Sequence, residues 1–256
     1  MDLQLDGKTA LVAAASSGLG YAVAHALAEE GAAVSIAARG EERLNRAVSE
    51  LREVSTSGEV SGHALDVRDE EAVRSWVEEV AAERGGVDIV VTNAGGPPKG
   101  PATAHELATF REALELNLLS AVSLVSTSLP HMRRNGWGRV LFMTSLSVKQ
   151  PVDGLALSNT VRPGLLGYAK SLVQELGGSA ITVNTLAPGM TRTSELEKWA
   201  SSLPGGVEEL TEGIPLGRLG EPGELGSTAA FLASPRAGYI TGAVLPVDGG
   251  AVQGLS

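Results

Sequence analysis

The chain has no cysteine in 256 residues, which removes disulfides and thiolate metal ligands and fits a reducing compartment. Aromatic residues make up only 4%, so any core must be aliphatic. Basic residues are outnumbered, with 20 Lys and Arg against 30 Asp and Glu. The resulting net charge of -10 repels phosphate backbones and argues against a nucleic-acid partner. His25, His63, His105 and His131 are scattered without ligand spacing, so no metal site is expected. The opening Met1 to Asp6 carries neither a basic nor an apolar leader region. No apolar run approaching the roughly 20 residues of a membrane span is evident. Together these absences lead us to expect a cytoplasmic protein without a membrane partner.

What the chain does have is 43% hydrophobic residues and 32 glycines, enough for a sizeable core with close backbone approaches. Strand-like apolar runs at 9–14, 33–38, 62–66, 87–92, 139–144, 181–186 and 243–247 alternate with helical patterns. The helical patterns fall at 19–30, 41–54, 69–84, 107–134 and 157–176, with Pro130 and Pro163 as candidate bends. Such alternation means βαβ units, hence a parallel sheet covered on both faces. Neither a linker nor a repeat interrupts it, so residues 1–256 read as a single α/β domain.

Between the first strand and first helix stands Ala15-Ser16-Ser17-Gly18-Leu19-Gly20. Glycines there let backbone N–H groups approach a pyrophosphate at the positive end of a helix. An ordinary tight turn would use the same residues, and position after the first strand favours the ligand reading. At the end of the second strand, where an acid selects NAD through its ribose hydroxyl, the chain has Arg39. A guanidinium suits a 2′-phosphate, which points to NADP(H) over NAD(H); the plain alternative is a solvated surface arginine.

Further motifs follow in order: Asp66-Val67, Asn93-Ala94-Gly95, Val183-Asn184, Ala187-Pro188-Gly189 with Thr193, 215–222 reading PLGRLGEP, Tyr239-Ile240-Thr241-Gly242 and Val247-Asp248-Gly249-Gly250. From about Gly7 to Gly250 the chain resembles the short-chain dehydrogenase/reductase family, particularly the 3-oxoacyl-acyl-carrier-protein reductases. The resemblance implies a Rossmann-type doubly wound fold with a seven-stranded parallel sheet, a substrate lid at about 190–214, and a homotetramer or homodimer. It also implies a small-molecule or acyl-thioester substrate. Asp66 and Val67 would flank adenine, Asn93, Ala94 and Gly95 would support the central strand, and Pro188, Gly189 and Thr193 would meet the nicotinamide.

The family's reaction uses a Tyr as acid, a Lys four residues later, an upstream Ser and an Asn on the long helix. Asn117 and Ser145 match the last two. At the Tyr and Lys positions stand Ser158 and Arg162, which resembles a side branch reading Ser-Asn-x-x-Arg. The first turn departs too, with Ala13 and Ala14 in place of Thr and Gly. An alkyl hydroxyl is a poor acid, and a guanidinium stays protonated, although Arg162 can still hold ribose hydroxyls. Tyr168 lies ten residues past Ser158, about 15 Å along a helix and out of reach, and Lys170 fails likewise. Lys149 is a candidate substitute cation, against the reading of a surface lysine. Trp199, with Glu195 and Glu197, reads as lid or as packing. Gly164, Gly167 and Ser171 share one helix face suited to close packing between subunits. Two functions result: an NADP(H)-dependent oxidoreductase for a carbonyl or alcohol with an altered proton path, or a pseudoenzyme that binds nucleotide or protein partners.

Overall fold

Apolar runs buried on both sides become seven parallel strands in the computed structural model, which describes residues 1–255. They are β1 (Thr9–Ala13), β2 (Ala33–Ala38), β3 (Val60–Ala64), β4 (Ile89–Thr92), β5 (Trp137–Met143), β6 (Ala180–Pro188) and β7 (Val244–Val247). Every pairing is parallel, in the order β3-β2-β1-β4-β5-β6-β7. β1, β2 and β4 are buried at every position, as a parallel sheet with helices on both faces requires.

Alternate strand residues feed two cores. Ala10, Val12, Val34 and Ile36 face α1 (Gly18–Glu29), α2 (Glu41–Val54) and α10 (Pro222–Ala233). Leu11, Ala13, Val90 and Phe142 face α3 (Glu70–Arg84), α5 (Ser120–Asn135) and α7 (Pro163–Glu175). With few aromatics available, close approach does much of the packing. A Cβ on Gly226 of α10 would collide with the Ala22 backbone carbonyl of α1. The expected doubly wound sheet is present, and its strand order reverses between β1 and β4. That reversal opens a crevice at the carboxyl ends of the strands, where such sheets bind ligands.

Several expected boundaries move. The helix expected at 107–134 is α4 (Leu107–Leu114), a π-helical segment Glu115–Leu119, and α5. Pro130 lies inside α5 without ending it. Leu107–Asn135, 29 residues, passes a length and mean-composition test for a membrane span. Yet it holds no continuous apolar run of that length, and 44% of its most apolar window is buried, with Leu124, Val125, Leu129 and Met132 in the second core. The helix expected at 157–176 divides into α6 (Ala156–Val161) and α7, with Pro163 in the first turn of α7, where its missing N–H costs nothing. Two short helices, α8 (Ser194–Ala200) and α9 (Gly206–Thr211), and all of α10 went unread in the sequence.

Candidate active site

The glycine turn joins β1 to α1 through two residues in the left-handed region: Gly18 at φ +63° and Ala14 at φ +48°. Glycine reaches that region freely, whereas an alanine is strained there. Asn93, just past β4, donates from Nδ2 to the Ala14 carbonyl at 3.2 Å. Gly20 allows this closeness, since a Cβ there would lie 2.6 Å from Asn93 Nδ2 and 2.7 Å from Ala14 O. Ser17 precedes α1 without a side-chain cap, and no acid stands in the first turn. The positive end of α1 is therefore open to an anion. Ser16 and Leu19 are half-buried around it, and Leu19 packs on the core.

Farther out, Arg39 follows β2, exposed and without an ion pair among the described residues. Asp66 follows the neighbouring β3 and is held by Arg68, Nη2 to Oδ2 at 2.6 Å. That partner, with a smaller contribution from Arg39, keeps the Asp66 carboxyl below its usual range. Val67 packs partly buried against the second core.

The other end of the crevice gathers the remaining candidates. Asn117 sits in the π-helical segment, 4% exposed, and both Oδ1 and Nδ2 lack a partner. Arg162, between α6 and α7, is also buried. Its Nη1 donates to the Thr144 carbonyl at 3.0 Å, while Nε has no partner. Burial alone lowers its pKa to about 10. Asn93, Ala94, Asn117 and Arg162 line one cavity of about 10 Å³, room for a single water. Three orphaned polar atoms belong to two residues lining a water-sized space, and an unsatisfied buried group costs about 1–3 kcal/mol.

β5 delivers Ser145 just past its end, half-buried, its hydroxyl accepting from the Ser147 N–H at 3.3 Å. Ser147 Oγ in turn lies 2.9 Å from Ser158 Oγ, both residues buried. Tyr168 is elsewhere: its hydroxyl meets Ser126 at 3.2 Å and its ring packs edge-on against Phe142. Lys149 ends the short 3-10 turn after Ser145 and is half-buried. Past β6, a Cβ on Gly189 would lie 2.7 Å from Asp248 Cα. Thr193 caps α8 through the Leu196 N–H at 3.2 Å. Its methyl would lie 3.7 Å from a Cβ on Gly18, so the start of α8 meets the glycine turn. Lys99, in the loop after β4, stacks its ammonium 3.4 Å from the Trp199 ring centroid, tying that loop to α8.

The family profile described as enoyl-(acyl carrier protein) reductase matches residues 13–252. The chain belongs to the short-chain dehydrogenase/reductase family. It is 35% identical to the 3-oxoacyl-[acyl-carrier-protein] reductase FabG of Vibrio cholerae, covering 97% of this chain and 98% of that protein. To the 3alpha-hydroxysteroid dehydrogenase of Mediterraneibacter gnavus it is 33% identical, covering 98% and 99%. The structure of L-sorbose reductase from Gluconobacter frateurii, complexed with NADPH and L-sorbose, superposes with a TM-score of 0.94 at 32% identity over the whole of both chains. By name these relatives are dehydrogenases and reductases, one of them solved with NADPH, and with the family profile they make this chain an NAD(P)-dependent dehydrogenase or reductase.

A short-chain dehydrogenase/reductase binds a dinucleotide, and the residues present fit one: the uncapped, acid-free start of α1 behind Gly18 and the orphaned polar atoms of Asn117 and Arg162 at the inner end. Ser147 and Thr144 escaped the sequence reading. Their only signal was proximity to Ser145, because the hydroxyl pair with Ser158 exists only when α6 packs on the turn after β5. Lys99 gave none, lying in a Gly/Pro-rich loop.

Proposed function

We propose that this protein is an NADP(H)-dependent oxidoreductase of a carbonyl or alcohol, working through a site in which Ser158 and Arg162 occupy the positions of the usual acid and its lysine. The carrying observation is the water-sized cavity lined by Asn117 and Arg162, at the ends of β4 and β5. The nucleotide, when bound, supplies or accepts hydride. In this reading Ser145 hydrogen-bonds the carbonyl oxygen, and Arg162 supplies a fixed positive charge near the oxygen as it gains charge. A water held by Asn117 and Arg162 is the proton source, since the Ser147–Ser158 hydroxyl pair has no ionisable member at working pH. Without a positioned acid the rate falls by roughly 10²–10⁴, so the wild type is a slow reductase. That deficit is also what favours the second reading, a nucleotide-binding pseudoenzyme.

Arg39 selects the cofactor. Its exposed, unpaired guanidinium at the end of β2 suits a 2′-phosphate. Asp66 and Val67 flank the adenine, Ser16 to Gly20 hold the pyrophosphate, and Pro188, Gly189 and Thr193 border the nicotinamide. We read residues 1–256 as one cytoplasmic domain whose lid, about 190–214, covers a small-molecule or acyl-thioester substrate. Relatives named for acyl-carrier-protein, steroid and sorbose substrates leave the substrate class this broad. The test is fluorescence titration with NADPH and NADH, followed by a carbonyl panel with NADPH. NADPH should bind tighter than NADH, and Arg39→Ala should erase the preference. Equal or tighter NADH binding by the wild type contradicts the assignment of Arg39.

A further inference from the structure

The guanidinium of Arg162 is a buried charge without a counter-charge. It forms no ion pair among the described residues, and its depressed pKa of about 10 has burial as its only cause. The cavity it lines is bordered by Thr92, Asn93, Asn117, Ser120 and apolar side chains, none ionisable. Among the described residues, its side chain's one polar contact is to the Thr144 carbonyl. An unpaired charge of this kind is expensive to bury, and it sits at the ends of β4 and β5. A dinucleotide laid across the crevice with its phosphorylated ribose at Arg39 brings its nicotinamide half to those strand ends.

The two redox forms of that half differ by one positive charge. The oxidised nicotinamide ring is a cation, and the dihydro ring is neutral. In a low-dielectric pocket a permanent cation repels the first and not the second. From the NADP(H) reading we infer that Arg162 makes the nucleotide site discriminate between redox states, holding NADPH more tightly than NADP⁺. A lysine at that position could lose its proton and relax the discrimination; an arginine keeps it across the working pH range. Tighter binding of the reduced form also raises the potential of the bound couple, by about 30 mV for a tenfold difference. The bound NADPH is thereby a weaker hydride donor and a longer-lived ligand.

Titration calorimetry of the full chain with NADPH and NADP⁺, each alone, tests this. The wild type should bind NADPH about tenfold tighter or more, and Arg162→Met should bring the two affinities together. Removing an uncompensated buried charge need not harm folding, and a thermal melt checks it. Should that variant fail to fold, Arg162→Lys decides. A desolvated lysine titrates well below its usual range, so its NADPH/NADP⁺ ratio should fall between pH 6 and about 8.5, a window in which Arg162, at about 10, stays charged and the wild-type ratio holds. A wild-type ratio near one, a ratio unchanged in Arg162→Met, or a pH-independent ratio in Arg162→Lys overturns the inference and leaves the NADP(H) reading standing. Failure of the wild type to bind either nucleotide overturns both.

Discussion

Ala14 stands at φ +48° in the glycine turn between β1 and α1, where an L-residue with a Cβ costs about 1–2 kcal/mol. Ala14→Gly removes that strain but adds about 0.5–1 kcal/mol of unfolded-state entropy. The net expectation is a gain of up to about 1.5 kcal/mol in thermal or denaturant unfolding, with the Asn93 hydrogen bond to the Ala14 carbonyl kept. A loss of stability would mean that the turn relaxes without glycine. At this scale the sequence was legible where chemistry rests on one residue at a fixed motif position. Asn117, Ser145, Ser158 and Arg162 all converge on the ends of β4 and β5, and Arg39 stands alone at the opposite end. What stayed hidden was pairing across long separations, such as Ser147 with Ser158 and Lys99 with Trp199. Each depends on how a loop packs rather than on spacing.

Among the elements, α10 shows why a helix can escape sequence reading. It buries Leu225, Gly226, Ala229, Ala230, Leu232 and Ala233 on one face. Gly226 lies so close to α1 that a Cβ would meet the Ala22 carbonyl, so small residues rather than a row of large apolar ones mark that face. Its start was nonetheless encoded: Pro222 opens it, and Glu224 accepts from the Glu221 N–H at 2.8 Å. Arg218 closes the arrangement, Nη2 to Glu224 Oε1 at 2.7 Å. These contacts, Arg218 first, lower the Glu224 pKa from 4.5 to about 2. A folded value below the unfolded one means the contribution is complete above pH 4.5 and is lost as pH falls toward 2. Glu224→Gln should therefore cost stability at pH 7 and little at pH 2, flattening the acid limb of unfolding measured from pH 5 to 2. An acid limb identical to wild type would show that the pair contributes nothing. The π-helical segment around Asn117 was the other element hidden from periodicity. It places the amide in the cavity while α4 and α5 continue as one apparent helix.

Across the whole molecule, a seven-stranded parallel sheet covered on both faces followed from alternation and resemblance, because each strand–helix unit must bury its apolar face against the next, whereas the strand order came only with the structure. Assembly is a separate matter. Gly164 and Gly167 of α7 are exposed, as is Ser171, and Leu107, Leu114 and Leu119 expose apolar side chains along α4 and the start of α5. We expect these faces to close a dimer or tetramer through two-fold symmetry. Light scattering at micromolar concentration should give a multiple of 26.2 kDa, and a monomer mass would refute this.

The central claim is that the fold still presents a reductase site lacking only its acid. It is tested most directly by turnover with NADPH on one reducible ketone for wild type, Ser158→Tyr, Arg162→Lys and the double variant, with NADPH affinity measured for each. A tyrosine placed near the nicotinamide needs its lysine to lower a pKa near 10, so the pair should act as a unit. The double variant is expected to exceed wild type by about 10²–10⁴, Arg162→Lys alone to gain nothing, and Ser158→Tyr alone to gain little. A double variant that binds NADPH normally yet stays inactive across a broad carbonyl panel would contradict the account and leave a nucleotide-binding pseudoenzyme in its place.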